Sequence, residues 1–248
     1  MELFVTLVLS AFSIFSLLIG ALIVFSTKNN SKVTTFSVSL GFIVLVLLGI
    51  LHLVPEAFEY FKGAVGTMKG IIYTSCFSIL GFGIVIASDV LTGHHEQKNE
   101  NSHYKHISLI TCLFLVVHNF IEGMTLYTSV LSSYEVAVIL MLGIALHNIP
   151  LGLTLSSTFE KVYGKTKTLL YLILIGSSYL FGALLLYKLN DSLLNPVVLG
   201  SFLSFTFGMI IYIAFFEFLP MIKNVKEKKT RNIAMLLGIV LMAISLVL

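Results

Sequence analysis

The stretch HNFIEGMTL, His118 to Leu126, is answered 29 residues later by HNIPLGLTL, His147 to Leu155. Each copy lies inside a long apolar run, where a histidine, an amide or a carboxylate is costly unless something pairs with it. On a helix, residues four apart share a face, so His118 and Glu122 project together, and Thr125 and Ser129 continue the stripe. An imidazole one turn from a carboxylate is half of a metal site. His118 is the middle residue of the run 107–129, and His147 lies at the middle of 136–157. Consecutive spans are antiparallel, so only motifs near both midpoints can meet at one depth, and these two are so placed.

The runs that carry the motif decide the fold. Hydrophobic residues make up 57% of the 248 and charged ones 11%, with a mean hydropathy of +1.01. That leaves too little polar surface to cover a soluble globule. The runs are about 20 residues long without polar alternation, which suits helices and not barrel strands. The expectation is an all-α integral membrane protein of the cell membrane. It has a single transmembrane domain over 1–248 and eight spans at 3–25, 33–54, 71–91, 107–129, 136–157, 169–187, 197–219 and 233–248. The first run lacks the basic flank and small-residue cleavage site of a signal peptide and counts as a helix.

Lys and Arg are retained on the cytoplasmic side. Twelve of the 15 fall in the segments 26–32, 92–106, 158–168 and 220–232, which places both termini outside. Topology therefore accounts for the net charge of +3 without a nucleic acid partner. The lipid bilayer is the expected surrounding, and the basic KNVKEKKTR segment, Lys223 to Arg231, could also touch anionic headgroups. Cys76 and Cys112 both fall in spans and read as small packing residues.

Around the paired histidines, Asn119 and Asn148 can offer an amide oxygen to a cation or a hydrogen bond to a ligand. Pro150 should kink the fifth span and free the Leu146 carbonyl, and Gly123 and Gly152 should let the fourth and fifth spans approach closely. Hydrogen bonding between helices would also account for a lone intramembrane His or Asn. Two His-Asn pairs with a carboxylate at one depth favour a cation instead. His52 and Glu56, again four apart, are a candidate entrance on the outer side, and Asp89 and Glu217 a candidate exit on the cytoplasmic side. For Glu56, Asp89 and Glu217, snorkelling to the interface is the competing account. The cytoplasmic loop 92–106 adds His94, His95, His103 and His106 as candidate metal contacts, a plain solvated loop being the alternative.

Taken together, these residues resemble the ZIP (zinc/iron permease) family over nearly the whole chain. The resemblance rests on LHLVPEA in the second span, HNxxEG in the fourth, HNxPxG in the fifth, GMIIYIAFFEFLP in the seventh and the histidine-bearing loop. It implies import of divalent transition metals, zinc foremost, by alternating access, often as a homodimer, with metal as substrate and no cofactor. By the resemblance, the transport site maps onto His118, Asn119, Glu122, His147 and Asn148. Many relatives have glutamate where this chain has Leu151, and many bacterial ones a further glutamate in the sixth span, where GSSYLFGALL places Tyr179. The implication is one ion held by His118, Glu122 and His147 and no second metal position, with zinc favoured over manganese. Two other functions stay open on the residues: a metal sensor without transport, and an intramembrane zinc hydrolase. The hydrolase would need a general base that the fourth and fifth spans do not offer beyond Glu122.

Overall fold

The computed structural model describes residues 1–27, 31–91, 100–189 and 195–247, with the side chains of 91 and 100–110 outside the description. Its elements are α1 (Glu2–Ser26), α2 (Ser31–Val65), α3 (Thr67–Leu91), α4 (Glu100–Ser132), α5 (134–163), α6 (165–189), α7 (Pro196–Lys223) and α8 (Lys228–Val247). Among the described residues all regular structure is helical, and 7 helical runs are long and apolar enough to cross a membrane. The longest run, Tyr134–Leu189, contains both α5 and α6.

That run cannot be one straight rod. In a straight helix, Asn148 and Tyr179 would lie about 46 Å apart at 1.5 Å per residue. Yet the Asn148 amide donates to the Tyr179 hydroxyl at 2.9 Å. The reversal occurs at Gly164, whose φ of 72° and ψ of 170° are open to glycine and strained for other residues. Aromatic packing of Tyr171 on Phe159 and Tyr163, with ring centroids 5.8 and 5.1 Å away, closes the bend.

Two helices carry a wide π-helical turn: α2 at Gly49–Leu53 and α7 at Ile213–Phe218. Each precedes a proline, and a proline ring clashes with the carbonyl four residues earlier. For Pro55 that carbonyl belongs to Leu51 and for Pro220 to Phe216, each inside its wide turn, so the helix relieves the clash by admitting one extra residue. His52 and Glu217 ride on these turns. At Pro150, by contrast, backbone torsions stay helical and no wide turn forms, the only non-helical torsions in that run being those of Gly164. α2 also continues to Val65, past the expected end at residue 54, because the EYFKGAV segment stays helical despite its polar residues. His52 and Glu56 therefore lie within a helix instead of at its end.

Packing divides the helices into two bundles: α1 and α4 embrace the α5–α6 hairpin, while α3 packs on α7 and α2 on α8. Three crossings are close and reciprocal. A side chain at Gly123 would run into the Tyr179 carbonyl and one at Gly182 into that of Phe120, joining α4 to α6. Gly20 and Gly152 join α1 to α5 in the same way, and Gly81 and Gly208 join α3 to α7. This corrects the role expected for Gly123 and Gly152, which press against α6 and α1 and not against each other. The bundles meet where the Thr154 hydroxyl of α5 donates to the Ser37 carbonyl of α2 at 2.7 Å. Cys76 is exposed on α3 and Cys112 buried on α4, and both are free.

Candidate metal centre

His118 and Glu122 extend from one face of α4 toward His147 on α5. The Glu122 Oε1 atom lies 3.2 Å from His147 Nε2 and 3.5 Å from His118 Nε2, and the two rings are 5.9 Å apart. All three ligand atoms fall within 4.8 Å of one another. In a tetrahedral zinc site with bonds of about 2.0–2.1 Å, ligand atoms are separated by about 3.3–3.4 Å. The two edges to Glu122, 3.2 and 3.5 Å, bracket that length.

The surroundings leave ligand atoms facing inward. His118 and His147 are almost wholly enclosed, at 1% and 4% exposure, and Phe114 stacks on His118 at 5.8 Å. Among the described residues, neither Nε2 has a hydrogen-bond partner, and the Oδ1 atoms of Asn119 and Asn148 likewise have none. Their amide nitrogens are committed: Asn119 Nδ2 donates to the Ile175 carbonyl at 3.1 Å and Asn148 Nδ2 to Tyr179 Oη. The Asn119 and Asn148 carbonyl oxygens are buried acceptors without a donor, and the imidazole nitrogens face the Glu122 carboxylate, an arrangement that an entering cation would stabilise.

Tyr179, noted in the sequence only as a departure from the family pattern, belongs to this cluster. Its hydroxyl donates to Glu122 Oε2 at 2.5 Å. The signal was a tyrosine at mid-span, away from the membrane interfaces where tyrosine concentrates, among small residues on GSSYLFGALL. Leu151, one turn beyond His147, is buried in the main apolar core.

A cavity of about 250 Å³ reaches the cluster. Glu122 and His147 line it together with His52 and Glu56 of α2, Thr125 and Ser245. The candidate entrance residues thus share one enclosure with the central site. On the other side of the fold, Asp89 and Glu217 are both buried, at 3% and 2% exposure, so neither snorkels. The Tyr212 hydroxyl donates to Asp89, and Glu217 lies within electrostatic range of that carboxylate. His94 and His95 lie outside the described residues, as do the side chains of His103 and His106 on the first turns of α4.

Seven membrane-length helical runs among the described residues define a multi-pass membrane protein, and inside it His118, Glu122 and His147 form a cluster that could hold a metal ion. The family model described as ZIP zinc transporter matches residues 88–246. The chain belongs to this ZIP family, whose members are transporters and not enzymes. It is 29% identical to the zinc transporter ZupT of Clostridium perfringens, over 93% of this chain and 90% of the relative. To the zinc transporter ZupT of Streptococcus mutans it is 28% identical, over 100% of this chain and 98% of the relative. A third zinc transporter ZupT, from Chlorobium chlorochromatii, is 26% identical over 93% and 92% of the two chains.

Proposed function

We infer that this protein imports zinc, and more broadly divalent transition metals, into the cytoplasm by alternating access. The observation that carries the reading is the convergence of His118, Glu122 and His147, their ligand atoms within 4.8 Å of one another, beside a cavity that Glu122 and His147 line. Two neutral imidazoles and one carboxylate favour zinc over oxygen-seeking cations. A divalent ion on them keeps a net charge of +1, so binding is weak enough for release, as transport demands. Asn119 and Asn148 complete the shell through Oδ1 or water. His52 and Glu56 form the entrance, and Asp89 with Glu217 the exit. In the full arrangement α5 and α6 each cross the membrane, giving eight spans with both termini outside, and loop 92–106 offers its histidines on the cytoplasmic side.

The mechanism follows from the two bundles. His118, Glu122 and His147 all belong to the α1, α4, α5 and α6 group, whereas His52, Glu56, Asp89 and Glu217 belong to the other. Displacing the first group against the second moves the loaded site from the outer carboxylate toward the inner pair. A homodimer has its room on α3 and α8, the least buried helices.

The test is zinc uptake into sealed proteoliposomes loaded with a fluorescent chelator, with manganese and iron as competitors. Saturable uptake that His118→Ala abolishes is expected. A folded, zinc-binding preparation without flux would overturn the importer and leave a sensor.

A further inference from the structure

We propose that Tyr179 is a positioning residue that makes Glu122 a one-oxygen ligand and thereby excludes oxygen-seeking, high-coordination cations such as manganese. This deepens the transport reading and rests on it. A carboxylate can bind a metal through one oxygen or both, and larger, harder cations take both readily. Here the two oxygens have separate partners. Oε1 faces the two imidazoles at 3.2 and 3.5 Å, and Oε2 accepts the Tyr179 hydroxyl at 2.5 Å.

With Glu122 ionised, as a metal ligand must be, the direction of that hydrogen bond is fixed. A hydroxyl has one proton to give, and Tyr179 Oη already accepts from Asn148 Nδ2 at 2.9 Å. Turning the Asn148 amide over would make the phenol donate to it and leave two oxygens facing each other across 2.5 Å with no proton between them. The relay therefore runs from the Asn148 amide through the phenol to Glu122. It also fixes the amide so that Asn148 Oδ1, which has no protein partner among the described residues, is the atom left for a ligand.

Nor can the phenol move aside. Tyr179 is wholly buried, and its backbone lies against Gly123, the residue after Glu122, where no side chain fits. The α4–α6 crossing thus sets the height of the hydroxyl against the carboxylate. A tyrosine here also adds no charge, unlike a carboxylate, so nothing at this place compensates a second cation.

Tyr179→Phe removes the hydroxyl and keeps the ring, and two readouts follow. In metal-free protein, the infrared carboxylate bands assigned with Glu122→Gln should shift in Tyr179→Phe, a readout that does not depend on the chain's ability to bind metal. With cobalt(II), the unaltered protein should give the strong visible absorption of a four-coordinate site. Tyr179→Phe should give the weaker bands of a higher coordination number. In proteoliposomes, manganese should compete with zinc about tenfold better in Tyr179→Phe, the low end for losing one hydrogen bond to a charged group. Unchanged infrared bands, or an unchanged cobalt spectrum and zinc-to-manganese preference, would overturn the proposal. An infrared shift in a chain that takes up no cobalt even unaltered would keep the relay but overturn its role at a metal site, together with the transport reading. Should Tyr179→Phe fail to assemble, Asn148→Ala releases the phenol from behind and must loosen the Glu122 bands in the same way.

Discussion

Replacing Gly123 by alanine should disable the metal centre without touching a ligand. A Cβ at this position would lie 2.8 Å from both the C and the Cα of Tyr179 and closer still to the carbonyl oxygen. Carbon atoms rest at about 3.5–4.0 Å, so α6 must retreat from α4 by about 0.7–1.2 Å. The obstacle is backbone on both sides, which no rotamer change relieves. Carried to the phenol, that retreat stretches the Tyr179–Glu122 hydrogen bond from 2.5 Å to about 3.2–3.7 Å, beyond the O–H···O range. Loss of a partner that orients a metal ligand lowers affinity by about 10–100-fold. The assay is zinc binding to purified protein, with Gly63→Ala as control, because nothing lies within 4 Å of a side chain there. The reasoning predicts a loss of at least tenfold in Gly123→Ala and none in Gly63→Ala. A folded Gly123→Ala protein with unaltered zinc affinity would refute it.

Other perturbations probe separate parts of the account. Leu151→Glu places a second carboxylate one turn from His147 within the apolar core; thermal melts should show a less stable metal-free protein that added zinc rescues, and a lack of rescue would place residue 151 out of reach of the ion. Gly164→Ala forces a side chain into a positive-φ, extended torsion that is essentially glycine's alone, at a cost of about 1–3 kcal/mol, so the melting temperature should fall while zinc uptake per folded protein is kept. Outside the spans, the Ser31 hydroxyl donates to Glu227 at 2.7 Å and holds its carboxyl below the usual range. A depressed folded value stabilises above the unfolded value and is lost as pH falls through the folded one. Glu227→Ala should therefore lower the melting temperature at neutral pH, and the difference should vanish in acid.

Much of this was legible in the sequence because the membrane imposes one rule on every span. Apolar runs of bilayer length read directly as helices, and midpoint placement of the His118 and His147 motifs was enough to bring them together. What escaped was set by contacts between helices. In sequence, Gly123 and Gly152 suggest a close approach of the fourth and fifth spans, but a glycine announces only that some backbone comes near, and which one depends on the rotation of each helix. Pro55 and Pro220 produced wide turns and Pro150 none, although local sequence offers each the same clash. Tyr179 was visible as a substitution, but its bonds to Glu122 and Asn148 required the reversal at Gly164 that brings it back over the centre.

The central claim is that a single ion sits between His118, Glu122 and His147. X-ray absorption at the zinc edge of purified, zinc-loaded protein tests it most directly. The account predicts one zinc per chain in a shell of about four nitrogen and oxygen atoms near 2.0–2.1 Å, with scattering from two imidazoles that falls to one in His118→Ala. A sulfur shell, or an imidazole count unmoved by His118→Ala, would contradict it.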